Sequence, residues 1–210
     1  MTEHKSMNQI IHAAFRRDLR RFDQALGGFP DGSRERAAQV AAAWDNFDHQ
    51  LHHHHQDEET IFFPMLSGLG ADASLMGELE GEHGDLVAAL DAANASMKSF
   101  TADPSAANAR SARTSVANLS DSFNRHVTHE ERDLEPFAAT QLSTPEWKQG
   151  QTAVRKAHKG ETGTFFAWLM DGADAETSAA LRQEVPAPVL FMLGRVGGGS
   201  YRRRVASVWI

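Results

Sequence analysis

Residues 51–66 read LHHHHQDEETIFFPML, and residues 126–136 read HVTHEERDLEP. Around the first stretch, apolar side chains fall at Phe47, Leu51, Phe62 and Met65, and positions 54 and 58 complete steps of three and four residues. That period is one face of a helix, so His54 and Glu58 are expected to point inward. Asp48, His52, His55 and Glu59 fall on a neighbouring, more polar face. The second stretch repeats the pattern: Val116, Leu119, Phe123, Leu134 and Phe137 form a stripe that His126 and Glu130 interrupt. HHQDEETIFFP, from His54 to Pro64, aligns without a gap with HVTHEERDLEP, from His126 to Pro136. Each copy thus places a His and a Glu four residues apart on a buried face, close enough to converge on one ion or an adjacent pair.

Each of these helices is preceded by another carrying a lone inward histidine. His12 shares a stripe with Phe15, Leu19, Phe22 and Leu26, and His83 shares one with Met76, Leu79, Leu86, Leu90, Ala93 and Met97. The separations, 42 residues from His12 to His54 and 43 from His83 to His126, indicate two duplicated helical hairpins. Punctuation agrees. GGFPDG at 27–32 separates a helix over about 5–26 from one over about 33–66, and Gly68 and Gly70 end the second. A third spans about 73–99, and TADPS at 101–105 leads, with Ser105 as N-cap, into a fourth ending near 141. Pro64 and Pro136 are expected to bend or stop the ligand helices. Short connections favour antiparallel neighbours, so residues 1–141 read as an all-α, up-down-up-down four-helix bundle.

Residues 145–210 read as a C-terminal helical extension of unknown role: a helix over about 146–170 with Pro145 in its first turn, a shorter one over 175–184, and a terminal apolar segment bearing Arg202, Arg203 and Arg204. That segment is expected to pack across its own bundle with its arginines in water; contact with a membrane surface or a protein partner is the alternative.

Buried polar and charged groups are costly unless hydrogen-bonded, paired or bound to metal. Four inward imidazoles, one per helix, with two inward carboxylates therefore point to a metal centre, and six ligands could supply two ions with both glutamates bridging. Among the remaining histidines, His49, His52, His53, His55 and His129 are expected at the rim or in solvent, and His158 at the surface. Glu59 and Glu131 either orient an imidazole or are solvated charges. Imidazole and carboxylate without sulfur suit iron, manganese or zinc. The 210 residues contain no cysteine, which excludes disulfides, iron–sulfur clusters and thiolate chemistry. A net charge of −7 argues against nucleic-acid binding. No apolar run reaches the roughly 18 residues of a transmembrane segment, and MTEHKSMNQIIHAAF lacks the order of a secretory signal, so a cytoplasmic location is expected.

The elements His12, His54-x-x-x-Glu58, Glu82-His83 and His126-x-x-x-Glu130-Glu131, each in its own helix, resemble the hemerythrin-like (HHE cation-binding) domain over about residues 5–140. The resemblance implies a four-helix bundle holding two non-haem iron ions, bridged by two carboxylates and an oxo or hydroxo group. His12, His54, His83 and His126 would then be terminal ligands, and Glu58 and Glu130 the bridges. Leu79 stands where oxygen-carrying members have a second histidine on the third helix. Glu131 occupies the position of their second bridging carboxylate and is a rival to Glu130.

The function expected from this pattern is a di-iron protein that handles O2, peroxide or nitric oxide as sensor, scavenger or store. Phe15, Leu51, Phe62, Leu86 and Phe123 would keep water from the pocket. The alternatives are a di-iron oxidoreductase acting on peroxide, for which Glu59, Glu82, His129 and Glu131 are candidate proton donors, and a metal-stabilised interaction module. Replacing His54 or Glu58 by Ala should lower metal stoichiometry, whereas His52→Ala should leave it unchanged; elemental analysis of the three purified variants checks this.

Overall fold

A computed structural model describes residues 5–193 and 197–209. The first helix, α1 (Met7–Gly27), begins at a capping box in which the Ser6 hydroxyl accepts from the Gln9 N–H and the Gln9 side chain accepts in return from the Ser6 N–H. α2 (Arg34–Asp57) starts at Ser33, α4 (Ala73–Ala102) at Asp72 and α5 (Ala106–His129) at Ser105, each cap accepting from the backbone N–H three residues on. These four rods form the bundle. α1 lies beside α2 and α5, and α4 lies beside α2 and α5. The described residues contain no strand, and no helix among them is long and apolar enough to cross a membrane.

The two prolines do not stop the ligand helices. α2 passes through a π-helical turn (Glu58–Phe62) into α3 (Phe63–Gly68), and α5 passes through a second one (Glu130–Leu134) into α6 (Glu135–Gln141). In the first turn the Phe63 N–H bonds to the Glu58 carbonyl, and in the second the Glu135 N–H bonds to the Glu130 carbonyl, five residues back in each case. Proline has no N–H, and its ring collides with the carbonyl four residues earlier in a regular α-helix. A wider turn ahead of Pro64 and Pro136 lets each helix continue. It also shifts the helical phase of the downstream residues. Phe63, not Phe62, is the buried residue after Glu58, and Phe62 turns outward to pack on Trp147, 5.5 Å between ring centroids.

The C-terminal extension forms several short helices where fewer were expected. α7 (Pro145–Ala157) and α8 (Thr162–Met170) replace a single helix over 146–170, the break falling at His158–Glu161. α9 (Ala175–Glu184) matches the expected short helix. The terminal segment is divided into α10 (Ala187–Met192), α11 (Gly199–Arg204) and a 3-10 turn (Ala206–Trp209); residues 194–196 and 210 of it lie outside the described residues. Ala167, Trp168, Leu169, Tyr201, Val205 and Val208 are buried in the same apolar cluster as Phe15, Phe22 and Phe47, while Arg202, Arg203 and Arg204 are exposed.

A buried polar knot fastens this extension to α1. The Trp168 indole N–H donates to Asp18 Oδ2 at 2.7 Å, Arg17 Nε donates to Asp18 Oδ1 at 2.8 Å, and the Arg17 guanidinium also donates to the Trp168 carbonyl at 3.0 Å. Trp168 is fully buried against Phe15, with centroids 4.8 Å apart. Trp168→Ala should therefore destabilise the protein by about 3–5 kcal/mol, a loss to be read from denaturant unfolding, because it empties a large cavity and strands a buried carboxylate oxygen.

Candidate metal centre

The stripes read from the sequence bring His12, His54, Glu58, His83, His126 and Glu130 to one place in the bundle. His12, Glu58, His83, His126 and Glu130 are buried, and the His54 side chain is 8% exposed. Two groups of possible ligand atoms result. One comprises His12, His54 and Glu58, and the other His55, Glu58, His83 and His126, all ligand atoms within each group lying within 4.8 Å of one another. Glu58 belongs to both. Its Oε1 lies 3.2 Å from His54 Nε2 and its Oε2 lies 3.4 Å from His83 Nε2, so one carboxylate faces two sets of imidazoles. Glu130 Oε2 lies 3.3 Å from His12 Nε2.

His55 departs from its expected place at the rim: it is 6% exposed and belongs to the cluster. Consecutive residues on a helix are rotated by about 100°, so His54 and His55 can straddle the inward direction, one toward each group. Its ring lies 4.7 Å from that of His83, centroid to centroid. A single stripe allows one inward residue per turn, whereas two adjacent groups accept two, so periodicity alone places His55 on the wrong side. The tract of four consecutive histidines was the available signal. His52 is exposed, as expected. Leu79, standing where a further histidine would project from α4, is fully buried with Phe63, Leu66 and Met76.

Carboxylates orient the rings from behind. His12 Nδ1 lies 2.8 Å from Glu131 Oε1, His83 Nδ1 lies 3.2 Å from Glu59 Oε1, and His126 Nδ1 lies 3.1 Å from Glu82 Oε2. Each carboxylate takes an Nδ1–H, which leaves the Nε2 lone pair turned into the bundle. Glu131 is further held by Arg16 at 2.7 Å, on the outer side of His12. Glu59 and Glu131 thus both contact inward imidazoles, Glu59 from an exposed position at the outer edge of the cluster. His129 lies at the rim and donates to Glu82 at 2.8 Å.

The chemistry of this set fits a cation. His83 Nε2 and His126 Nε2 are 3.1 Å apart with both Nδ1 positions engaged by carboxylates, so two lone pairs face one point. Both Glu58 oxygens, Glu130 Oε2 and His55 Nε2 are buried without a hydrogen-bond partner among the described residues. Two nitrogens bound to one ion at about 2.0–2.1 Å would lie about 3 Å apart, the spacing seen here. The electrostatics record the same tension. Burial, then the like charge of Glu130, push the Glu58 carboxyl well above the ordinary range. Burial also raises Glu130, but His12 and His126 outweigh it and hold that carboxyl down to about 2. Burial lowers His54 and His55 well below a free imidazole and lowers His126 as well, while His12, despite its burial, is raised by Glu130 and Glu131. Neutral imidazoles beside a carboxylate are ready ligands. Replacing Glu82 or Glu131 by Ala should weaken metal affinity by about 10–100-fold without changing the number of ions at saturation, checked by competition with a chelator of known affinity.

Comparison with known proteins agrees with this geometry. No curated protein and no solved structure matches the chain. The model of the hemerythrin HHE cation-binding domain matches residues 9–138, from the first turn of α1 into α6. With the match running from the first turn of α1 through α5 and holding every residue of the buried cluster, the chain belongs to the hemerythrin HHE cation-binding family.

Proposed function

We propose that this protein holds two non-haem iron ions in the buried cluster and uses them to bind O2, peroxide or nitric oxide as sensor, scavenger or store. The observation that carries this reading is the placement of Glu58, whose two oxygens face separate imidazole groups. In the proposed site His55, His83 and His126 would hold one ion and His12 and His54 the other, with Glu58 and Glu130 as the carboxylates shared between them. Glu130 is preferred to Glu131 because it turns into the cluster, whereas Glu131 is engaged by Arg16 and by the outer nitrogen of His12.

Bound there, the iron pair would supply redox-active coordination positions for a small ligand. The chain's own residues set the conditions. The His12–His54 side has one imidazole fewer, so a ligand position is expected on that side. Aromatic rings flank it: Phe15 lies 5.6 Å from His54 and Phe123 lies 6.1 Å from His12, ring centre to ring centre. Phe15, Leu51, Leu86 and Phe123 are fully buried, an apolar wall that would keep water from the ligand position. Glu59, Glu82 and Glu131 hold the tautomers of the three imidazoles they touch.

A second reading, turnover of peroxide, is favoured by one feature. His126 Nδ1, Glu82, His129 and Asp133 form a chain from the cluster to the surface, with contacts of 3.1, 2.8 and 3.3 Å. Such a chain can carry protons to a buried centre. Loss of peroxide turnover in His129→Gln with iron content intact would favour catalysis over binding.

The deciding measurement is an anaerobic Fe(II) titration of metal-free protein, followed by an optical spectrum in air. Saturation at two irons per chain with the near-ultraviolet bands of oxo-bridged iron is expected. His55→Ala should lower saturation to one tightly held iron. Saturation of the unsubstituted protein at one iron or none would sink the proposal.

A further inference from the structure

A second group of imidazoles lies on the opposite, outer side of α2, where the turn between α7 and α8 crosses it. His49 and His53 are one helical turn apart on α2, the spacing at which two side chains can grip one ion. The turn brings His158 and Glu161 against them. His49 Nε2 lies 2.8 Å from Glu161 Oε2, and His53 Nδ1 lies 3.0 Å from His158 Nδ1 and 3.6 Å from Glu161 Oε2. We propose that His49, His53 and Glu161, with His158 drawn in from beside His53 as a fourth donor, form a separate site for a divalent transition-metal ion of the zinc type, which pins the α7–α8 turn to the bundle.

Three observations support this. First, His49, His53 and Glu161 each present a ligand atom within 4.8 Å of the others. Within that triad the His49–Glu161 and His53–Glu161 contacts, 2.8 and 3.6 Å, lie either side of the roughly 3.3 Å ligand–ligand spacing expected for metal–ligand bonds of about 2.0–2.1 Å, and His158 stands beside the triad with its Nδ1 3.0 Å from His53 Nδ1. Second, His158 is oriented as a ligand. Its Nε2 lies 3.0 Å from both oxygens of Asp57, which take the N–H and leave the Nδ1 lone pair aimed at His53 Nδ1. Third, the group is open to entry: His49 and Glu161 are about half exposed, and His53 and His158 about a quarter.

The site has no residue in common with the buried cluster, and two of its donors lie beyond the family match. Imidazole with one carboxylate and no sulfur suits zinc, cobalt or nickel. The break at His158–Glu161, where one helix was expected over 146–170, is the turn that presents both residues to α2. A bound ion would join residues separated by more than a hundred positions, tying the extension to the helix that carries His54 and Glu58.

The test uses the full-length, iron-loaded protein titrated with zinc chloride by calorimetry, with iron content measured before and after. One further ion per chain, at constant iron, is expected. Affinity should fall by at least about tenfold in His158→Ala and in His49→Ala, the latter at an exposed position that folding does not require. Zinc should also slow amide exchange over 145–170 in the parent protein and not in the variants. No additional zinc, zinc that enters only by displacing iron, or parental affinity retained in both variants would overturn the proposal.

Discussion

Two carboxylates, Glu58 and Glu130, stand in the middle of an apolar bundle among imidazoles, and much of the rest of the architecture answers that constraint. A buried anion is tolerated only with compensating charge, hydrogen bonds or a metal. Here the compensation is layered. Histidines from four helices converge on the carboxylates, and Glu59, Glu82 and Glu131 stand behind three of those histidines. Arg16 holds Glu131 in turn. Phe15, Phe123 and Phe63 close the space around the rings, Phe63 stacking on His83 at 5.2 Å. A set of groups this polar, assembled inside a core, has unsatisfied lone pairs as its natural consequence, and a cation is the species that satisfies them.

The duplicated hairpin gives this arrangement its geometry. Both ligand helices carry His, then Glu four residues on, then Pro six residues beyond the Glu, and both open a π-helical turn at the Glu. The shared cause is proline's missing N–H, which a wider turn accommodates while the helix runs on. Each turn begins at an inward carboxylate, so the widening falls where the cluster needs room. Single π-helical turns inside α-helices are frequent at functional sites.

The extension is part of the same core rather than an appendage resting on it. Trp168 packs against Phe15, whose other neighbours include His54, so the wall of the buried cluster and the anchor of the extension share one ring. Asp18, on the same helix as His12, takes both the Trp168 indole and Arg17. Tyr201 and Arg21 meet on Asp171 at 2.9 Å, closing the chain's last turns against α1. Packing support for the site therefore extends to Trp168 and Tyr201, beyond the residues 9–138 that the family pattern covers.

Periodicity was enough to read the four bundle helices, the inward faces of His12, His54, His83 and His126, and the inward Glu58 and Glu130, because a 3.6-residue repeat interrupted by a polar residue is a local signal. The family likeness was legible for the same reason, since its residues lie at fixed helical spacings. Three features required the folded chain. His55 turns inward because two adjacent ligand groups present two directions to one helix, which a single stripe cannot express. Phe63 replaces Phe62 in the core because a π-helical turn changes the phase, and one-dimensional periodicity assumes the phase is constant. His158 and Glu161 meet His49 and His53 only through a break between α7 and α8 and a crossing over α2. Local spacing determines which face of a helix is buried; contacts between residues a hundred positions apart are decided by how those faces pack.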